Sequence, residues 1–159
     1  MHINTSLSKF IKKHRDKKNQ VIFFKTSCKK NKIIENIINN FLARKNSFIF
    51  ESVEKRRIRG RYTILGGDPD RIWEFQKNSI YLINDGKKKI IKDRPYRFLK
   101  KLIENFNFNL PKNLPPICSL LVGYFSYDII RYVEKIPDKC VDDLKIPDIR
   151  LLRPQTIII

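Results

Sequence analysis

The sequence has few of the residues from which catalytic and metal sites are usually built. Only two histidines occur in 159 residues, and both, His2 and His14, stand in a basic leader away from carboxylates. The three cysteines, Cys28, Cys118 and Cys140, are far apart and form no CxxC pair. Neither a disulfide framework nor a zinc site is therefore predicted, and we assign these residues no catalytic or metal-binding role.

Glycine is also scarce, and long apolar runs are missing. The five glycines form no P-loop, dinucleotide fingerprint or nucleophile elbow. No apolar run approaches the roughly 18 residues of a membrane span, and the first residues lack the pattern of a secretory signal. A loop with Asp138, Asp142, Asp143 and Asp148 is interpreted as solvated, because it lacks the sharp glycine turn of a calcium loop. We expect a cytoplasmic protein without a membrane partner.

Acidic residues are few against the basic ones. The chain has 34 Lys and Arg, 16 Asp and Glu, and a net charge of +18. Residues 1–32 hold ten of the cations and one Asp, which leaves a basic nucleic-acid-binding module as one hypothesis. The 25 Ile, 22 Lys and 13 Asn against one Ala favour a bias of composition spread over the whole surface. Nucleic acid is therefore not the expected partner.

Periodicity predicts an α+β protein with antiparallel β-sheets and flanking helices. Helical spacing predicts a short basic helix within a leader at residues 1–20, a helix over 33–42 whose apolar stripe is core, and a helix that starts at Pro95. Turn residues at 66–69 and 84–86 divide the middle of the chain into an antiparallel meander. The predicted strands cover residues 21–24, 48–50, 62–65, 72–75, 80–83, 89–91, 119–125 and 155–159. The last strand stops without a turn signal, so we expect a cut through a larger fold.

Polar residues interrupt two apolar strands where both approach a connecting loop. Glu51 and Ser52 follow the strand at 48–50, and Arg61 precedes the next strand. A carboxylate can hold an ammonium group, a guanidinium can hold a carboxylate, and a hydroxyl can hold either. These side chains could therefore bind a zwitterion, although a surface ion pair beside a turn is the alternative.

The same residues carry a resemblance to a known family. FESVE at 50–54, followed by GRYTILGGDP at 60–69, resembles the first amino-terminal block of anthranilate synthase component I, and VGYFSYDIIRYVE at 122–134 with DDLKIPD at 142–148 resembles its second block. The resemblance covers residues 21–159. It implies an amino-terminal domain that belongs to the larger sandwich fold of chorismate-utilising enzymes and lacks the carboxy-terminal chorismate-binding region.

The resemblance also implies a function. The family makes anthranilate from chorismate, with ammonia from a glutamine amidotransferase component II, in a Mg²⁺-dependent reaction that tryptophan inhibits. Its chorismate, Mg²⁺ and acid–base residues lie in the region absent here, so we assign no catalytic or metal residue and expect this chain alone to bind no Mg²⁺ and make no anthranilate. The rest of the effector pocket belongs to that missing region. The predicted tryptophan-binding residues are Glu51, Ser52, Arg59, Gly60, Arg61 and Tyr62.

Two points of the resemblance stay open. Lys55 to Arg59 is strongly basic where the family carries small or acidic residues with a glycine, which affects the loop and its affinity for an effector. Component I of para-aminobenzoate synthase, which shares the fold and a tryptophan pocket, is the alternative within the same class of enzyme.

Overall fold

The computed structural model describes residues 3–16, 20–28, 30–51, 62–106, 110–112, 114–137, 139 and 141–159. These residues form an α+β protein with a single six-stranded antiparallel sheet and helices packed against it. The helices are α1 (Leu7–Arg15), α2 (Asn31–Leu42) and α3 (Pro95–Asn105), with two short 3₁₀-helices at Pro116–Cys118 and Tyr127–Tyr132. The strands are β1 (Phe48–Phe50), β2 (Ile64–Gln76), β3 (Ser79–Asn84), β4 (Lys87–Ile91), β5 (Val122–Phe125) and β6 (Ile149–Ile158).

The strands follow the order β4-β3-β2-β6-β5, and β1 pairs with β2. β6 runs along one edge of β2, while β1 and β3 share the other edge. The predicted meander is confirmed for β2, β3 and β4. Its last turn uses Asp85 and Gly86 with φ of 49° and 73°, the conformation that a tight two-residue hairpin requires.

The predicted turn at residues 66–69 is wrong, because β2 continues through it from Ile64 to Gln76. Its two glycines keep φ negative, whereas Asp68 has a φ of 52°. The ladder with β6 shifts register between Pro69 and Arg71. A β-bulge bends a strand without ending it, and β6 pairs with β2 on both sides of the bulge. The glycine and proline residues therefore bend one long strand instead of separating two.

The core lies on one face of this sheet, below α3. Five buried side chains from β2, β3 and β6 form it, each exposed by 4% or less: Trp73, Phe75, Ile80, Ile149 and Leu151. Helix α3 begins at Pro95 as predicted, where a missing N–H costs no helical hydrogen bond. Phe98, Leu99 and Leu102 of α3 pack against the cluster. These three residues of α3 thus cover the core, whereas Ile103 of the same helix is 57% exposed.

Helix α2 packs on the sheet only near its carboxyl end. Phe41 is its one buried residue, and a Cβ on Gly67 of β2 would stand 3.1 Å from the Phe41 ring. Ile33, Ile34 and Ile37 are 46%, 42% and 38% exposed. The prediction that the whole stripe of α2 is core is therefore wrong for these three residues and for Leu42, which is 44% exposed.

The apolar segment at residues 21–24 also differs from its prediction as a strand. It is extended, but its pairing among the described residues is one isolated bridge between Phe24 and Ile3. Asn4 adds hydrogen bonds to Val21 and Phe23, with its side chain donating to the first and accepting from the second. A strand needs a neighbour to complete its ladder, and the described part of the chain gives this segment only residues 3 and 4.

Asp148, predicted to lie in a solvated loop, is half-buried at the start of β6. One of its carboxylate oxygens accepts hydrogen bonds from the backbone N–H of Lys77 at 2.7 Å and from the hydroxyl of Tyr132 at 2.8 Å. Burial, together with this carboxylate, raises the pKa of Tyr132. Asp148 thus joins the β2–β3 turn, the second 3₁₀-helix and β6, while Asp142 and Asp143 are exposed as expected.

Strand β5 approaches β6 unusually closely. A Cβ built on Gly123 would stand 1.7 Å from the carbonyl oxygen of Arg150, so only glycine fits there without moving the backbone. The strand begins at Val122, three residues later than predicted, because its pairing with β6 starts at the Val122–Leu152 pair.

Candidate functional site

The predicted effector residues lie around the loop between β1 and β2. Of the six, the structure describes Glu51 and Tyr62; Ser52, Arg59, Gly60 and Arg61 lie outside the described residues. Glu51 directly follows β1, and Tyr62 stands two residues before β2. Both side chains are exposed.

Strand pairing brings the two ends of this loop together. Phe50 is the registered partner of Ile64, so Glu51 and Tyr62 each leave the same end of one antiparallel pair. The first and last residues of the predicted site therefore both adjoin the Phe50–Ile64 end of this strand pair. Glu51 supplies a carboxylate there, and Tyr62 supplies a ring and a hydroxyl.

Tyr62 also lines a wide cavity of 1310 Å³. The cavity lies over the far end of the face that carries the core, because side chains alternate along β6: Ile149 and Leu151 are core, and Arg153, Gln155 and Ile157 line the cavity. Opposite β6, the cavity is bounded by the extended residues 21–26 and by residues that follow α3. The cavity therefore occupies the part of this sheet face that α3 does not cover.

A close contact shapes the sheet beside the cavity. Phe48, Gly66 and Ile157 are registered partners across β1, β2 and β6, so their side-chain positions share one face. A Cβ on Gly66 would stand 2.3 Å from the Phe48 ring. Phe48 and Phe50 in turn have ring centroids 5.2 Å apart. The absence of a side chain at Gly66 thus makes room for an aromatic pair next to Ile157.

An ion pair between Asp70 and Arg153 lies at the β2 bulge, and both residues line the cavity. Asp70, which lies within the register shift, accepts hydrogen bonds from Nε of Arg153 at 2.7 Å and from Nη2 of Arg153. Both side chains are about one-third exposed or less, and the bond to Asp70 raises the pKa of Arg153. The two-point contact pins the bulge of β2 to β6.

The remaining charges around the cavity are mostly positive. Lys25, Lys112 and His14 line it together with Arg153, and Asp70 is the one carboxylate among its described lining residues. Lys25, Lys112 and Arg153 thus place positive groups on this lining, and Arg153 is paired with Asp70. The cavity therefore combines apolar walls with a positive rim.

The described residues contain no group of three or more His, Cys, Asp or Glu that could hold a metal ion. In the same part of the chain, no helix is both long and apolar enough to cross a membrane.

Comparison with known protein sequences identifies relatives of this chain. No protein-family profile matches the chain. Anthranilate synthase component 1 of Cereibacter sphaeroides is 30% identical over 158 residues, a match that covers 96% of this chain and 32% of that protein. The chain is homologous to the amino-terminal part of anthranilate synthase component 1.

Two further relatives extend the range of organisms. Anthranilate synthase component 1 of Acetivibrio thermocellus is 32% identical over 114 residues, covering 70% of this chain and 23% of that protein. The chloroplastic anthranilate synthase alpha subunit 1 of Oryza sativa subsp. indica is 34% identical over 117 residues, covering 66% and 20%. The chain therefore spans a third or less of the length of the curated relatives it matches.

The anthranilate synthase resemblance seen in the sequence is thus confirmed at the level of the family. The predicted loop residues stay a prediction. Sequence reasoning did not single out the Asp70–Arg153 pair, because the two residues are 83 positions apart. The one available signal was a second aspartate directly after Gly-Asp-Pro.

Proposed function

We propose that this chain is the regulatory, tryptophan-binding amino-terminal part of an anthranilate synthase component 1. The observation that carries the proposal is the match to Cereibacter sphaeroides anthranilate synthase component 1 over 96% of the chain. The position of Glu51 and Tyr62 at the two ends of the β1–β2 loop, with Tyr62 on the wall of a cavity, supports an effector site there. In this proposal the sheet is one portion of the larger chorismate-utilising sandwich, and residues 1–20 lead into a domain that covers 21–159.

The proposed site binds both the ammonium group and the carboxylate group of an amino acid. The Glu51 carboxylate accepts the ammonium group, Arg61 or backbone N–H groups hold the carboxylate, and Ser52 contacts either. Arg59, Gly60 and Tyr62 complete this side of the site, and the rest of the pocket comes from the region that the longer relatives carry. Tryptophan inhibits by binding the less active arrangement better, and it shifts the population by no more than that difference in affinity.

The complete enzyme is proposed to convert chorismate to anthranilate, with ammonia delivered by a glutamine amidotransferase component II and with Mg²⁺ bound in the carboxy-terminal region. This chain alone is proposed to lack the reaction and to hold no Mg²⁺. The purified chain, given chorismate, ammonium and Mg²⁺, should form no anthranilate above background fluorescence. Turnover by the chain alone contradicts this part of the proposal.

Calorimetry with L-tryptophan tests the effector site directly. The wild-type chain should release binding heat that is lost in Ser52→Ala and kept in Ser79→Ala, a matched variant at the start of β3 away from the loop. L-leucine serves as the ligand control. A wild-type chain that is indifferent to tryptophan, or a Ser52→Ala variant that binds normally, overturns the assignment and leaves this chain a scaffold role only.

A further inference from the structure

The highest concentration of positive charge along the chain occurs where β4 leads into α3. Residues 87–101 hold eight Lys and Arg against one acidic residue, Asp93, which gives a net charge of +7. No other stretch of that length carries as much. An even spread of the total charge of +18 over 159 residues would place about two charges there. A bias of composition spread over the whole surface therefore does not account for this concentration.

The fold places most of these cations on the α3 side of the sheet. Ile91 of β4 and Phe98 of α3 pack against the same core cluster, so β4 and α3 adjoin at this end of the sheet. Side chains alternate along a strand, and Lys87 and Lys89 therefore stand on the same face as Ile91. The end of β4 is joined to α3 by Asp93, which accepts a hydrogen bond from Lys101 at 3.3 Å.

Helix α3 turns its basic residues away from the core. Its inward face is formed by Phe98, Leu99 and Leu102, so Arg97 and Lys100, three positions apart, lie together on the opposite side. All eight cations of the stretch are exposed. The stretch thus forms a basic surface, which consists of Lys87, Lys88, Lys89, Lys92, Arg94, Arg97, Lys100 and Lys101.

Most of this basic surface is not neutralised by acidic side chains. Within the described part of the chain, ion pairs involve two of its eight cations: Lys88 with Glu74 at 3.0 Å, and Lys101 with Asp93 at 3.3 Å. Six exposed cations remain. A group of this kind attracts a polyanion, because each phosphate that it neutralises releases condensed counterions into solution.

An exposed aromatic ring stands within the basic surface. Tyr96 is 63% exposed, and it lies between Arg94 and Arg97 and one helical turn before Lys100. An exposed ring flanked by cations can stack on an unpaired base while the cations hold the neighbouring phosphates. The combination is typical of surfaces that bind single-stranded nucleic acid.

An anionic lipid surface matches the basic surface less well. A helix that binds a membrane surface buries an apolar face among the lipids. The apolar face of α3 already packs on the core through Phe98, Leu99 and Leu102. Charge alone would attract lipid head groups, but it leaves the exposed ring of Tyr96 without a role.

We propose that the basic surface binds single-stranded nucleic acid, with its six unpaired cations on the phosphates and with Tyr96 stacked on a base. The proposal goes beyond the proposed function, because it uses neither the β1–β2 loop nor the cavity. RNA and DNA strands both offer phosphates and unpaired bases, so the ligand is defined as an unpaired strand of either kind.

Fluorescence anisotropy of the full chain with a labelled strand of about 15 nucleotides tests the proposal. The logarithm of the affinity should fall with the logarithm of the salt concentration with a slope of roughly −4, which is about −0.7 for each of six phosphates. RNA and DNA strands of the same sequence are compared, and a preference for either identifies the source of the ligand. A strand that does not bind at low salt, or a slope near zero, overturns the proposal.

Charge-matched variants locate the contact. The first variant removes three unpaired cations of the basic surface: Lys92→Gln, Arg97→Gln and Lys100→Gln. It should weaken binding at least tenfold at low salt and bring the slope to roughly −2, because three phosphate contacts remain. The second variant removes three exposed lysines of α1: Lys9→Gln, Lys12→Gln and Lys13→Gln. It has the same net charge and should keep the wild-type slope. Equal losses in the two variants show a response to net charge alone and overturn the proposal.

The stacking contact has its own test. Tyr96→Ala should weaken binding by about fivefold or more, whereas Tyr96→Phe should bind normally. Tyr127→Ala, at a position 88% exposed on the second 3₁₀-helix, should have no effect, and circular dichroism checks that each variant is folded. A strand of the same length without bases should bind the wild-type chain as weakly as the normal strand binds Tyr96→Ala. Equal binding of the two strands overturns the assignment to nucleic acid.

Two other polyanions test for the competing partners. Phosphatidylserine vesicles represent a lipid surface, and poly-L-glutamate represents an acidic protein. At equal concentrations of negative charge, neither should displace the labelled strand from the wild-type chain as well as the unlabelled strand does. Displacement by vesicles or by poly-L-glutamate with equal strength assigns the basic surface to that class of partner and overturns the proposal.

Discussion

The two ends of one sheet face differ in what covers them. β2 and β6 run through both ends. At one end Phe75 and Ile149 are 0% and 1% exposed, below α3; at the other end Ile157 and Tyr62 line a cavity of 1310 Å³. The strands are continuous, so the contrast comes from the second layer rather than from the sheet. The covered end holds the fully buried side chains, and the uncovered end adjoins the loop proposed to bind a ligand.

The largest expected effect on stability comes from comparing the same Ile→Ala substitution at each end of this sheet face. Ile149→Ala should lower the free energy of unfolding by about 2–5 kcal/mol, because it leaves a hole among fully buried side chains. Ile157→Ala, on the same face of the same strand, should cost roughly 1 kcal/mol, since its methyl groups are only partly removed from water. Urea unfolding followed by circular dichroism measures both. Equal costs contradict the contrast between the two ends.

Two glycines sharpen the comparison further. Gly123→Ala places a methyl group against the backbone of β6, which can relieve the clash only by moving away, so we expect a loss of about 1–3 kcal/mol. Gly66→Ala meets the ring of Phe48, a side chain that can rotate. Its cost should therefore be smaller in the same unfolding experiment. A larger loss for Gly66→Ala indicates that Phe48 is held rigidly.

The ion pair beneath the cavity should contribute less. Asp70→Asn should cost about 1 kcal/mol, because the pair is part-exposed and screened by solvent, and the loss should shrink in 1 M salt. Asp68→Asn removes a comparable pair with Arg44, in which both side chains are more than 40% exposed, and should change stability less. A loss at Asp70 that salt does not alter assigns the effect to hydrogen bonding alone.

The smallest expected effect is a change in stability at high pH, which arises from Tyr132 at the covered end. The pKa of Tyr132 is raised in the folded state, so the folded protein holds this proton more tightly than the unfolded chain does. Stability from this group is complete below the unfolded tyrosine pKa of about 10 and is lost as pH rises above it. Tyr132→Phe should flatten the fall in unfolding temperature above about pH 10. Identical profiles for both proteins contradict this role.

Local features of the sequence predicted the local structure well. The β3–β4 turn, the start of α3 at Pro95 and the helices α1 and α2 depend on neighbours a few positions apart, so periodicity and turn chemistry reveal them. The bulge at Asp70 could not be predicted in this way. Gly-Gly-Asp-Pro is typical of a turn, and only the pairing of β6 with both halves of β2 makes it a bend.

Long-range partners account for the other differences. The Asp70–Arg153 pair and the bonds of Asp148 join residues that are distant in sequence, so no window of the chain contains them. The exposed turn of α2 at Ile33 and Ile34 has the right period for a core helix, but period alone does not say whether a second surface is present. The effector site stays a prediction from the loop sequence; the described structure adds that both ends of this loop adjoin one strand pair and that Tyr62 lines a cavity.

Strand β4 makes one edge of the sheet different from the other. It is an edge strand, and it carries three consecutive lysines, Lys87, Lys88 and Lys89. Lysines on an edge repel incoming strands because their charge cannot be buried against a neighbouring backbone. Lys88 is restrained further by Glu74 and by the ring of Tyr81. The β4 edge of the sheet is therefore protected by charge against pairing with another strand, whereas β5, the strand at the other end of the sheet order, carries no lysine.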